Sequence, residues 1–168
     1  MTPRAAAAAT LAIAMSATAA APDLHCTLEA PARVAAGAPV MLRFTLTNAG
    51  SAALDVLRWN TPFEGAWFAP FVAVTRDGRA LAYGGPMKKR GEPTPAQYLH
   101  LEPGASEHAE IDLALPFDLA VPGRYHVAPR IRLVDVVDAT QAQPPRPRAS
   151  HQNVALACPA VDVVVTPR

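Results

Sequence analysis

Val40, Leu42, Phe44 and Leu46 alternate with Met41, Arg43 and Thr45, the period of two expected of a strand with one buried face. Asn48-Ala49-Gly50-Ser51 then reads as a turn, and Leu54 to Trp59 as a second strand stopped by Asn60-Thr61-Pro62. Phe71 to Thr75 predicts a third strand. Arg76-Asp77-Gly78-Arg79 is a hairpin turn into Ala80 to Tyr83, because Asp-Gly accepts the positive φ such turns need. Gln97 to Leu101 and Glu107 to Leu113 are further strands around the turn Glu102-Pro103-Gly104-Ala105. Gly123 to Val127, Arg130 to Val137 and Val161 to Thr166 complete the set. Gly84 to Pro95 is a loop, and the Pro- and Gln-rich stretch Thr140 to Ala149 lacks any period, so a flexible excursion is expected near residues 140–150.

Short strands at this spacing, with no helical stripe between them, predict an all-β, immunoglobulin-like antiparallel β-sandwich. Phe117-Asp118-Leu119 followed by Gly123-x-Tyr125 reads as a tyrosine corner, its hydroxyl bonding back to backbone near 117–120. Trp59 is the candidate core tryptophan. Composition agrees: 18 prolines in 168 residues is about twice the average usage of about 5% and is hard to place in helices. Fifteen Lys+Arg against 14 Asp+Glu leave a net charge of +1, which argues against a nucleic-acid partner.

The first 20 residues read as an address. Met1 to Arg4 carries one positive charge, Ala5 to Met15 is uncharged and apolar, and Ser16 to Ala21 is a small-residue exit: the layout of a secretory signal peptide. Eleven apolar residues are too few to span a bilayer, which needs about 20. A single domain over 21–168, periplasmic or secreted, monomeric and without a membrane span, is therefore expected. In an oxidising compartment Cys26 and Cys158 predict a disulfide; a Cys nucleophile with a His partner is the alternative.

Catalytic signatures are missing. The chain has neither His-Glu-x-x-His, Gly-x-Ser-x-Gly nor a phosphate-binding glycine loop, and its five histidines follow no ligand spacing, so no metal or other cofactor is expected. Glu110 and Asp112 share a strand face that is read as solvated. Two stretches point instead to recognition. Met87-Lys88-Lys89-Arg90 holds both lysines of the chain in a Gly/Pro-bounded loop, and Trp67 and Phe68 close a second loop rich in aromatics. These six residues are the candidate partner-binding set. The alternatives are a solvated basic loop and an aromatic loop folded onto the core.

Leu57-Arg58-Trp59-Asn60-Thr61-Pro62-Phe63-Glu64-Gly65, Val74-Thr75-Arg76-Asp77-Gly78, Tyr83 to Pro93, Tyr98-Leu99-His100-Leu101-Glu102-Pro103-Gly104 and Phe117 to Tyr125 follow one another in order. Together they resemble the N-terminal, non-catalytic domain that precedes the zinc domain of deuterolysin-type peptidyl-Lys metallopeptidases, over roughly residues 38 to 135. Up to Arg168 no zinc-binding His-Glu-x-x-His follows, so no catalytic residue is carried over. The resemblance implies a free-standing pro- or accessory-type domain, and enzymes of that family cut beside lysine, which implies an acidic primary pocket. A non-enzymatic binding module for a secreted peptidase, as inhibitor or folding assistant, is the leading expectation. The alternatives are a structural or adhesive envelope domain, or a chain tied to peptidases only through longer catalytic relatives.

Overall fold

A computed structural model describes residues 21–168, so the signal-peptide reading of residues 1–20 lies outside the described residues. The strands are β1 (Leu24–Glu29), β2 (Arg33–Ala35), β3 (Met41–Asn48), β4 (Leu54–Leu57), β5 (Val72–Arg76), β6 (Arg79–Ala80) and β7 (Tyr98–Leu101). There follow β8 (Ser106–Asp112), β9 (Gly123–Pro129), β10 (Arg132–Leu133), β11 (Val136–Asp138), β12 (Val154–Ala155) and β13 (Val161–Thr166). Helix is confined, among the described residues, to single 3₁₀ turns at Pro62–Glu64, Pro95–Gln97 and Arg148–Ser150.

Two sheets form the sandwich. One has the order β1-β3-β8 and the other β2-β13-β9-β5-β6. The alternation of β3 sets the packing: Leu42, Phe44 and Leu46 point inward and are fully buried, while Met41 and Arg43 face solvent. They meet Val72, Val74, Tyr125, Val127, Val163 and Val165 of the opposite sheet in one continuous core. In immunoglobulin terms β1, β3 and β8 occupy the A, B and E positions, and β5, β9 and β13 the C, F and G positions. The fold is thus the predicted all-β, immunoglobulin-like sandwich, with one departure: β2 runs parallel to β13, Val34 lying opposite Val165.

The tyrosine corner is present, one residue further on than expected. The Tyr125 hydroxyl donates to the Val121 carbonyl at 2.6 Å, outside the 117–120 window. The Asp-Gly hairpin also forms, with φ of 47° at Asp77 and 82° at Gly78, but β6 stops at Ala80 instead of reaching Tyr83. The strand over 54–59 ends at Leu57, and 130–137 divides into β10 and the start of β11. Trp59 is not the core tryptophan. It lies in a second apolar cluster with Leu57, Tyr98 and Val137, while Trp67 takes the central position, stacked on Phe71 with centroids 4.1 Å apart.

Cys26 and Cys158 are joined by a disulfide with Cα atoms 5.2 Å apart. It ties β1 of one sheet to the segment entering β13 of the other, at the edge where the chain begins and ends its sandwich. The Cys-nucleophile alternative is thereby removed, since neither sulfur is free.

Candidate functional site: the loop end of the sandwich

Three long connections leave the sandwich at the same end. Thr47 pairs with Ser106, so β8 starts where β3 finishes; Val72 pairs with Pro129, so β5 starts where β9 finishes. The connections β3–β5, β6–β8 and β9–β13 therefore converge, and each contributes one strand to a small sheet of order β11-β4-β7. Loops carried by one end of a rigid sandwich are where binding residues concentrate in this architecture.

Asn48 fixes the first connection. Fully buried, its side-chain amide donates to the carbonyls of Ala52 (2.8 Å) and Leu101 (3.0 Å), and its Oδ1 accepts from the Gly50 N–H at 3.1 Å. The turn read at Asn48 to Ser51 is thus also the clamp between β3 and the small sheet. Further along, the Thr61 hydroxyl donates to the Arg58 carbonyl at 2.6 Å and, with Pro62 in the first turn, starts the 3₁₀ turn 62–64. That turn aims Glu64 back into the loop end, where its Oε2 also accepts from the Asn60 N–H at 2.7 Å.

Around that turn the two sequence-predicted stretches meet. Arg90 Nη2 lies 2.6 Å from Glu64 Oε2, and both side chains are only 9% exposed. Its guanidinium sits over the ring of Trp59 (5.1 Å) and near that of Phe68 (5.6 Å). Arg90 Nε and Nη1 have no N or O acceptor, which fits a planar cation held between two aromatic faces. Lys88 Nζ lies 4.5 Å from the centre of the Phe68 ring, and the Lys88 N–H donates to the Phe68 carbonyl at 3.0 Å. The Tyr83 hydroxyl donates to the Pro86 carbonyl at 3.0 Å, and Arg148 Nη1 to the Arg90 carbonyl at 2.8 Å.

The predicted set of six therefore divides. Met87 (70% exposed), Lys88 and Lys89 form the outward tip. Phe68 is a half-buried platform beneath it. Arg90 is a buried anchor, not part of a solvated tip, because its charge is neutralised from within. Trp67 is corrected out of the exposed surface: it is 4% exposed, donates from Nε1 to the Asp112 carbonyl at 2.8 Å and belongs to the core.

A second buried ion pair supports the same end. Asp135 is fully buried and accepts from the Tyr98 hydroxyl (2.9 Å), the Gln152 N–H (2.9 Å) and the Arg146 guanidinium. Burial, then the bond to Asp135, pushes the Tyr98 phenol up to about 12, so it remains a donor at any physiological pH. Arg146 also reaches the Val136 carbonyl, and Arg148 N–H donates to Glu92. These contacts pin the Pro-rich stretch 140–150 against β11 and the basic loop. Sequence reading missed Glu64, Asn60, Asp135, Arg146 and Arg148; the contacts Arg146–Asp135, Arg90–Glu64 and Arg148–Arg90 join residues 11, 26 and 58 apart along the chain.

Among the described residues, the carboxylates and histidines singled out in the sequence have structural partners. Asp112 is spent on the backbone N–H groups of Val40 (2.8 Å) and Ala114 (2.9 Å), and Glu110 faces Arg43 at 3.4 Å. His100 and His126 each pair with a separate carboxylate, Asp55 at 2.9 Å and Asp162 at 2.8 Å. The Asp55 and Glu102 hydrogen bonds raise the His100 pKa above 6.5. Among the described residues no three His, Cys, Asp or Glu side chains gather as metal ligands, and no helix is long and apolar enough to cross a membrane.

No family model matches the chain. A solved CARDB domain from a Pyrococcus furiosus protein, in complex with di-metal ions, superposes with a TM-score of 0.39 at 13% identity, covering 88% of this chain and 96% of that one. No residue role is carried over from it. An "Extracellular protease" of Aeromonas hydrophila is 32% identical over 88 residues, or 52% of this chain. The match spans only 25% of that protease, so this chain is similar to one part of an extracellular protease.

Proposed function

We infer that this chain is a non-catalytic, exported β domain that binds a secreted peptidase through the loop end of its sandwich. One observation supports the reading: a charged loop, anchored by a buried Arg90–Glu64 pair, stands on a chain about half of which is similar to part of an extracellular protease. A loop ordered before binding loses less entropy on association. The deuterolysin-type resemblance suggests the finer identity of the partner, a metallopeptidase that cuts beside lysine, and a role as inhibitor or folding assistant. The adhesive alternative relied on an exposed aromatic loop; with Trp67 in the core and Phe68 half-covered it has no comparable surface.

The test is capture. The full chain, purified from its producing cells with the disulfide intact and then immobilised, is expected to retain a peptidase from culture supernatant, identified by mass spectrometry and by hydrolysis of casein. Retention of no peptidase overturns the reading.

A further inference from the structure

The geometry points to Lys89 as the side chain that enters the partner's primary pocket, with Met87–Lys89 lying in the peptidase cleft as a poor substrate; this rests on the peptidase reading above. The three cations of the loop are not equivalent. Arg90 is neutralised by Glu64 and sits between Trp59 and Phe68. Lys88 rests its ammonium on the Phe68 ring and its N–H on the Phe68 carbonyl. Lys89, between them, is exposed and makes no hydrogen bond, ion pair or ring contact among the described residues. It is the free positive charge at the tip, so the complementary pocket is acidic and takes a long basic side chain.

The anchors also decide the fate of the loop in such a cleft. A peptide chain is a good substrate when it adapts to the cleft and its halves separate after cutting. Here Lys88 N–H is tied to Phe68 on one side of Lys89. On the other side Arg90 is held by its side chain to Glu64 and by its carbonyl to Arg148. Hydrolysis of the peptide bond on either side of Lys89 would add one water, leaving a carboxylate on one new end and an amine on the other. Both new ends would stay where they were. Products that cannot leave block the cleft, and held ends favour re-forming the bond. The half-buried Phe68 and the 3₁₀ turn at 62–64 are thus the base of the loop, not its contact face.

The experiment uses the peptidase retained in the capture above, assayed on a short peptide with one internal lysine. Wild-type chain is expected to compete with that substrate, Lys89→Ala to raise the inhibition constant by about 30-fold or more, as for a central hot-spot side chain, and Lys88→Ala to raise it less. Arg33→Ala, which removes one exposed charge on the remote β2, is expected to leave it unchanged. Glu64→Gln frees Arg90, and cutting beside Lys89 should then speed up by about tenfold or more. Lys89→Ala alters only an exposed side chain and is decisive even where Glu64→Gln does not fold. If the peptidase is retained but does not cut peptides beside lysine or arginine, or if Lys89→Ala inhibits as well as wild type, the pocket assignment fails while the peptidase reading stands. An empty capture ends both.

Discussion

Single side chains in this protein are valuable where they leave no group unpaired. Tyr125 is the clearest case: its ring is fully buried between the sheets, and its hydroxyl donates to Val121 at 2.6 Å across the corner into β9. Tyr125→Phe keeps the ring and deletes the bond, leaving a carbonyl whose residue is partly open to water. The expected cost is about 1 kcal/mol, or on the order of 3 °C in melting midpoint for a domain of this size. Thermal unfolding followed by near-ultraviolet circular dichroism measures it, and an unchanged midpoint would mean the corner contributes nothing. Glu64 is the opposite case. It and Arg90 are both 9% exposed, so removal of either charge strands the other in apolar surroundings.

At the level of elements, the small sheet β11-β4-β7 has too few strands, each of three or four residues, to stand alone. It persists because Asn48 clamps β3 to it and Asp135 draws Tyr98, Gln152 and Arg146 around one buried carboxylate. Arg146→Ala leaves Asp135 buried with its counter-charge gone, a situation that costs about 3–5 kcal/mol where it has been measured. The same change releases residues 140–150. Arg146→Ala is therefore expected to be nicked within that stretch by a nonspecific protease at concentrations that leave wild type intact. Equal resistance of the two proteins would show that the ion pair does not hold the segment.

For the molecule as a whole, the disulfide is the one covalent long-range constraint among the described residues. It closes a separation of 132 residues and ties the two sheets at the edge where β1 and β13 lie. In the chain-entropy model a loop of that length is worth ~4–5 kcal/mol through the unfolded state. Reduction, or the paired change Cys26→Ser with Cys158→Ser, should lower the urea midpoint by an amount corresponding to a few kcal/mol and steepen the transition, because the unfolded chain without the bridge is less compact and exposes more surface. A midpoint unaffected by reduction would count against the bridge as a stabilising element. At this scale the fold also explains why one end alone carries the candidate site. The connections after β3, β6 and β9 all leave at one end, and the disulfide ties the two sheets at that same end, with Cys26 opposite Leu46 near the finish of β3 and Cys158 in the connection into β13.

Local pattern determined the sandwich. Alternation along Val40 to Leu46, the Asp-Gly turn at 77–78 and the Gly-x-Tyr of the corner are each decided within a few residues, so they were legible without any partner. Leu24, Cys26 and Leu28 carry the same alternation in β1, yet the strands read from the sequence begin only at Val40. β2, β10 and β12, two or three residues each, offer too short a period to detect. The basic loop and the aromatic loop were visible as separate stretches; their union was not. Only the tertiary structure brought Arg90 to Glu64, 26 residues back, and laid Lys88 on Phe68. Exposure of a charge or a ring depends on what the rest of the chain places beside it, and that is a property of packing. Hence Trp67 became core, Arg90 became an anchor, and Lys89 remained at the surface.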